Sequence, residues 1–594
     1  MQTAEVVLGV LRERGRRGLP CNRLYRQVFN PQLYLLAYGR IYANHGAMTP
    51  GATQETADGM SMAKIQAIIE ALRHERYRFS PVRRTHIPKA NGKLRPLGLP
   101  TWSDKLVGEV VRLLLEAYYE PQFSDRSHGF RPGRGCHTAL REVADTWTGT
   151  TWFVEGDIAD CFGSLDHDIM VKILAEKVHD NRFLRLVRNM LTAGYLEDWR
   201  WNATLSGAPQ GGVVSPILSS IYLHKLDEFV ETVLIPHYTK GAARRSNPAY
   251  TRVKNRLAYA RKRGDRAKAR TLQQQLRRLP VGDPNDPGFR RLRYSRYADD
   301  HLLGFIGPKA EAEEIKQRLA QFLRDELALE LNHDKTLITH ARTRAARYLG
   351  YEITTQHGDS KITAGQRSVN GKIALRVPRQ VITAKRALYR RHGKPWHRAA
   401  LQNLDDYEIV KVYGAEYRGI VQYYLLAGDV WRLKSLRWDA QTSLLKTLAA
   451  KHQSSVVKIA AKHRAKVQTQ YGPRTCYEAR RERDGKQPLV ARFGGIPLVC
   501  NRDAVLTDLV LTGARATYPR KELILRLLKG RCECCGQTGQ VLVHQVRSLA
   551  SLGTPQRGQP KGAALMARIR RKTLVVCPAC HDVIHHGHPA ATTA

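Results

Sequence analysis

The sequence predicts a multidomain α+β protein, and three patterns carry that prediction. Short apolar stretches with strand character run up to acidic residues at Phe153-Val154-Glu155-Gly156-Asp157-Ile158 and across Leu292 to Ile306. From Gln380 to about Arg464 the chain is strongly helical and basic. Five of its ten cysteines lie after position 531, which argues for a local metal site in a reducing compartment and against a disulfide framework. A chain of 594 residues should hold three or four such units.

Composition narrows the function classes. Lys and Arg total 97 against 53 acids, a formal charge of +44. An excess of that size calls for a polyanionic partner, and nucleic acid is the usual one. No apolar run approaches the ~20 residues of a membrane span. The N-terminus carries Arg12, Arg14, Arg16 and Arg17 without the apolar segment of a signal peptide.

The acidic hairpin is the most informative element. Tyr297-Ala298-Asp299-Asp300 sits between Leu292-Arg293-Tyr294-Ser295-Arg296 and His301-Leu302-Leu303-Gly304-Phe305-Ile306. Both flanks suit strands, so the acidic pair falls at the connection. Taken alone this could be a polar turn. Two carboxylates there are costly to desolvate, and a divalent cation is the natural way to stabilise them. Asp157 ends a second strand ahead of a helical pattern beginning near His167. A polymerase needs two metal ions, and carboxylates from two strands give them a rigid base. Asp157 and Asp299 are the candidate main ligands, with Asp300 in support.

The residues around these carboxylates resemble a reverse transcriptase, specifically the protein encoded by bacterial group II introns. Ile87-Pro88-Lys89-Ala90-Asn91-Gly92-Lys93-Leu94-Arg95-Pro96-Leu97-Gly98-Leu99-Pro100-Thr101 is similar to the family's fingers motif, and Ser127-His128-Gly129-Phe130-Arg131-Pro132-Gly133-Arg134 to the next. Pro209-Gln210-Gly211-Gly212-Val213-Val214-Ser215-Pro216 resembles its template and nucleotide loop. Leu331-Asn332-His333-Asp334-Lys335-Thr336 and Tyr348-Leu349-Gly350-Tyr351 resemble the last palm motifs, the latter gripping the primer end. The resemblance implies a right-hand polymerase. Lys89, Lys93 and Arg95 would neutralise the triphosphate, and Gln210, Ile158 and Phe162 would bind the nucleotide, Phe162 excluding a 2′-hydroxyl.

The same resemblance orders the whole chain. Fingers and palm fill 1–375, with a basic insertion at 235–295. Between Lys240 and Arg296, 18 Lys and Arg stand against 3 Asp, as expected of an arm lying on RNA phosphates. A helical thumb, the maturase domain, covers 376–467. It includes Tyr413-Gly414-Ala415-Glu416-Tyr417-Arg418-Gly419-Ile420-Val421-Gln422-Tyr423-Tyr424 and Ser443-Leu444-Leu445-Lys446-Thr447-Leu448-Ala449-Ala450-Lys451. Aromatics interleaved with cations suit RNA stacking and phosphate contact, or the core of a bundle, and both can hold on opposite helix faces. A DNA-binding segment follows at 468–525.

A zinc module closes the chain at 526–594. Cys532 and Cys535, like Cys577 and Cys580, have Cys-x-x-Cys spacing, a strong Zn2+ signal; Cys534 looks spare. His544 follows Val541-Leu542-Val543, and His581 and His585 stand four apart on one helical face. This resembles the ββα-metal (HNH) endonuclease of many intron proteins, with His544, His581 and His585 as catalytic residues and a cation held at His544 and His585. Gln545 stands where the family has a histidine base, so cleavage should be slow, use His586 or another base, or give way to DNA binding.

The implied protein is an RNA-directed DNA polymerase that binds its group II intron RNA as a ribonucleoprotein. It would assist splicing and support mobility by target-primed reverse transcription. Its other expected partners are dNTPs and target DNA, with Mg2+ at the polymerase and nuclease sites, in a bacterial cytoplasm and away from membranes. The alternative is a splicing factor with a vestigial polymerase and a zinc module that only binds DNA.

Overall fold

The computed structural model describes residues 2–586 except 89–91, 93, 199, 205, 208–211, 333, 359–360, 364–365, 484–485, 507–521 and 553–560. Its centre is a four-stranded antiparallel sheet in the order Arg291–Tyr297, Asp300–Ile306, Trp152–Gly156, Ile338–His340. Successive side chains of a strand point to opposite faces, and both faces of this sheet are covered. Val154 and Leu303 belong to a core shared with the helices Ser215–Phe229 and Lys309–Leu327, whose Phe229 and Phe322 rings stack at 4.1 Å. Phe153 and Leu302 belong to a second core shared with the thumb helices. Two-sided burial explains why these strands read as near-continuous apolar runs.

The fingers sheet runs Leu94–Leu99, Val82–Pro88, Tyr195–Glu197, Arg200–Asn202. Its first hairpin carries Arg95. The basic insertion forms two antiparallel helices, Pro248–Lys262 and Arg266–Arg278, joined through Gly264. Leu257, Ala260 and Leu272 give it a small core of its own. Bridges Lys240↔Arg290 and Ser246↔Gly282 close its base. Most of its cations are therefore left on the outside.

The thumb is built on Asp406–Tyr423 and Lys434–Lys451. A three-stranded sheet, Arg464–Thr469, Gly472–Arg483 and Lys486–Gly494, packs on the first of these helices. Gly414 permits that approach: a Cβ there would run into the Arg492 carbonyl. Tyr417 meets Phe493 with ring centroids 5.3 Å apart. The beginning of the segment expected at 468–525 thus shares the thumb's core.

The C-terminal module is joined to the N-terminal region rather than tethered to it. Met60–Ser61 pairs antiparallel with Leu542–Gln545, which pairs in turn with Thr573–Val576. Val543 and Val575 enter the main core together with Leu523, Ile524 and Leu527 of the helix Glu522–Leu528. Leu574 and Val576 turn the other way, toward Cys532 and Met566.

Candidate polymerase and nuclease sites

Tyr297 pairs with Asp300, which leaves Ala298 and Asp299 as a two-residue turn. Ala298 has φ 54°, a value that costs a non-glycine residue energy and persists only when its surroundings enforce it. Those surroundings are the Ser127-to-Arg134 motif. A Cβ on Gly129 would lie 2.5 Å from the Ala298 nitrogen, so only glycine fits under the turn. The His128 N–H donates to the Arg296 carbonyl at 2.9 Å. The Arg296 guanidinium, fully buried, donates to the Ala298 carbonyl at 2.8 Å and to both oxygens of Asp227, at 2.7 and 2.6 Å. Removing either partner of such a buried pair costs roughly 3–5 kcal/mol. Asp227 and Arg296 were not among the expected site residues, yet they position the acidic turn. Asp227 stands four residues after Leu223 and three before Val230, on the apolar face of its helix, and that was the available signal.

Asp157 lies beside this turn at the end of its strand. Lys335 Nζ is 2.7 Å from Asp157 Oδ2, and Asn332 Nδ2 donates to the same oxygen at 3.3 Å. Burial, the fixed charge of Asp299 and then that of Asp157 push the Asp300 carboxyl up to about 7. Asp299 is raised as well, by burial first and then by Asp157, with Lys335 and Arg95 opposing. Carboxylates this close, with Asp299 and Asp300 both raised, form a donor set that a divalent cation relieves. Arg95, exposed on the strand Leu94–Leu99, faces the trio closely enough for its charge to act on Asp299. Lys89, Lys93 and Gln210 lie outside the described residues. Phe162 is half-buried; its ring lies 6.4 Å from Phe130, which is 6.5 Å from Tyr297. Ile158 is buried and bridges to Leu331. Tyr348 and Tyr351 are buried, and the Tyr423 and Tyr424 hydroxyls donate to the Leu349 and Gly350 carbonyls, at 2.8 and 2.9 Å. This turn is thereby tied to the thumb.

Among the described residues, two groups place one ligand atom per residue within 4.8 Å of one another, and both draw on the C-terminal module. The first is Cys532, Cys535, Cys577 and Cys580, as the spacing predicts. The Cys535 and Cys577 sulfurs are 3.8 Å apart. Zn–S bonds of about 2.3 Å in a tetrahedron put sulfurs about 3.8 Å apart, so the site fits zinc. Burial raises the Cys532 thiol, but the N–H groups of Cys535, Cys577 and Cys534 outweigh it and bring it to about 6. Cys534 is not part of this group; its sulfur lies near Gly562.

The second group contains His544, His581 and His585, and also Asp58 from the N-terminal region. Nε2 of His581 and His585 lie 3.1 and 2.8 Å from Asp58 Oδ2, and His544 Nδ1 lies 3.2 Å from Oδ1. His544 Nδ1 is buried, and Asp58 Oδ1 is the polar atom it faces. The sequence expectation places Mg2+ here, and the donor set is three imidazoles and one carboxylate. Imidazoles suit zinc and its transition-metal neighbours, whereas magnesium prefers oxygen ligands. Gln545 is buried; its side-chain amide donates to the Tyr42 carbonyl at 2.8 Å and its backbone N–H to Asp58 Oδ1 at 2.7 Å. His586 ends the same helix as His581 and His585, exposed.

Three family models match the chain: "Reverse transcriptase (RNA-dependent DNA polymerase)" over residues 87–245, "Type II intron maturase" over 372–478, and "AI2M/AI1M-like, HNH endonuclease" over 532–581. The group II intron-encoded protein LtrA of Lactococcus lactis subsp. cremoris is 37% identical over 95% of this chain and 96% of its own length. The chain belongs to the group II intron-encoded proteins. An uncharacterised 91 kDa protein in the cob intron of Schizosaccharomyces pombe is 33% identical over 95% of this chain and 69% of its own. The putative COX1/OXI3 intron 1 protein of Saccharomyces cerevisiae is 31% identical over the same two shares.

This intron-encoded protein is therefore a reverse transcriptase and intron maturase that carries an HNH endonuclease domain. None of its described helices is long and apolar enough to cross a membrane. The maturase segments depart from the stacking role that was open to them. Tyr413 and Tyr417 are buried, and the Tyr413 hydroxyl contacts Ser443 and Thr447 at 2.8 and 2.9 Å. Thr447, fully buried, also accepts the Arg398 N–H at 3.0 Å. They serve the core, while Arg418 faces solvent. The thumb's exposed aromatics include Trp396, and Trp431 and Trp438, 63% and 57% exposed, stand on either side of exposed Lys434.

Proposed function

We propose that this chain copies its intron RNA into DNA at a target site, using Asp157, Asp299 and Asp300, and assists splicing through its basic thumb and arm. The observation that carries the reading is the carboxylate trio on two adjacent strands, facing Arg95 across the palm. Mg2+ held by the three would supply the Lewis acidity that activates a 3′-hydroxyl and accepts triphosphate oxygens. Lys335 and Asn332 hold Asp157 in place. Arg95, joined by Lys89 and Lys93, neutralises the triphosphate of the incoming dNTP. Gln210 aligns the nucleotide from its glycine-flanked loop. Ile158 and Phe162 shape the floor, Phe162 against the sugar.

The reading includes the division into fingers and palm at 1–375, thumb at 376–467, DNA-binding segment at 468–525 and nuclease module at 526–594. Four cysteines hold a structural Zn2+. His544, His581 and His585 hold a second cation, which would polarise a phosphate of the target DNA. The protein works as a ribonucleoprotein in the bacterial cytoplasm, where its cysteines stay reduced.

The test is Asp299→Asn, which keeps the shape of the turn and removes one charge. It should abolish primer extension while intron RNA binding is unchanged, because the RNA footprint is spread over many cations. Extension at the parental rate would remove Asp299 from the catalytic role.

A further inference from the structure

The nuclease histidines converge on a residue that the C-terminal module does not contain. Asp58 precedes the strand Met60–Ser61, whose register Met60↔Val543 and Ser61↔Leu542 fixes it beside Gln545. The Gly59 N–H donates to the Val543 carbonyl at 2.9 Å, and the Gln545 N–H donates to Asp58 Oδ1 at 2.7 Å. The carboxylate is thus held by backbone pairing, independently of the histidines, in the one place where it meets all three. Its side chain is largely buried, 15% exposed.

We propose that Asp58 is the fourth ligand of the nuclease metal, so that the N-terminal region of the reverse transcriptase closes the metal centre of the endonuclease module. The proposal rests on the reading that His544, His581 and His585 bind a cation. Three imidazoles and one carboxylate complete a tetrahedral shell for zinc or a related transition metal. Structural zinc sites are closed in this way. Catalytic ones keep one of four positions for water or substrate. In the arrangement here, the position that a DNA phosphate oxygen would take is filled by Asp58. The buried Gln545 amide, engaged with Tyr42, supplies no base beside it. The metal would then do two things. It pins the module to the N-terminal region, and it stays silent toward DNA until the carboxylate is withdrawn. Withdrawal requires the short strand Met60–Ser61 to shift or part from Leu542–Gln545. A nucleic acid bound across fingers and module could drive such a movement.

The experiment uses the full-length protein. Zinc content after dialysis against a chelator of graded strength is measured for the parent, Asp58→Asn and His585→Ala. Asparagine keeps an acceptor for the Gln545 N–H, so the fold is preserved, and the four-cysteine zinc serves as an internal reference for folding. The parent should hold two zinc ions. His585→Ala should hold one, and Asp58→Asn should bind the second at least about tenfold more weakly. At saturating zinc or manganese, Asp58→Asn should also nick DNA faster than the parent. If Asp58→Asn binds the second ion as tightly as the parent, Asp58 is not a ligand and the proposal falls. If affinity drops but nicking does not rise, closure of the site by Asp58 is refuted while ligation stands. A parent that binds only the cysteine-held ion would overturn the histidine site itself, which is a different failure.

Discussion

At the scale of single residues, the chemistry follows from charges that the fold holds near one another. Asp300 has its carboxyl pushed up to about 7 by burial and by Asp299 and Asp157. For an acid raised above its ordinary 3.8, the folded chain keeps a proton that the unfolded chain has released. Stability therefore falls as pH rises from about 4 to about 7, and the full cost is present above that. A cation bound by the trio offsets the cost only where the cost exists. Mg2+ should raise the melting temperature clearly at pH 8 and little at pH 5.5, and Asp300→Asn should lose the difference. Equal shifts at both pH values in the parent would argue against a cation at this trio. The turn itself was legible in the sequence, because strand-like stretches on both flanks leave the acids at the connection. Asp58 was not legible. Its partners stand almost the whole chain away, 487 positions in the case of Gln545, and nothing in the local pattern around it signals chemistry.

At the scale of elements, helical periodicity identified the thumb but not which of its aromatics face out. Tyrosines such as Tyr413 suit either a core or a stacking surface, since a buried hydroxyl needs only a partner, and Ser443 and Thr447 supply two. Trp431 and Trp438 are the most exposed of those left on the surface, with Lys434 between them. Base stacking on an exposed aromatic is worth about 1–3 kcal/mol per base. Replacing both tryptophans with alanine should weaken intron RNA binding by tenfold or more, with little change in its salt dependence, since no phosphate contact is lost. Binding that is unaltered, or altered only through the salt slope, would place the RNA elsewhere. The inserted arm was legible as a basic insertion from its charge run. Its hairpin form depends on the turn at Gly264 and on Leu257 meeting Leu272, a pairing that periodicity alone does not specify.

At the scale of the whole molecule, the endonuclease module is part of the folded body. Leu523, Ile524 and Leu527 lie in the main core, and Met60–Ser61 extends the module's sheet. Burying each such aliphatic side chain contributes about 1.5–3 kcal/mol. A chain ending at residue 521 should therefore melt at a lower temperature than the parent. An unchanged melting temperature would mean that the shared core contributes nothing. The central claim is that one chain carries two separable activities, DNA synthesis at the palm carboxylates and splicing support on the basic thumb. The most direct test assays both activities side by side in two variants. Asp299→Asn should lose cDNA synthesis and keep splicing. Neutralising several Lys and Arg between Gln380 and Arg464 should abolish splicing at moderate salt and leave primer extension on a generic template largely intact. If both activities fall together in both variants, the account is contradicted.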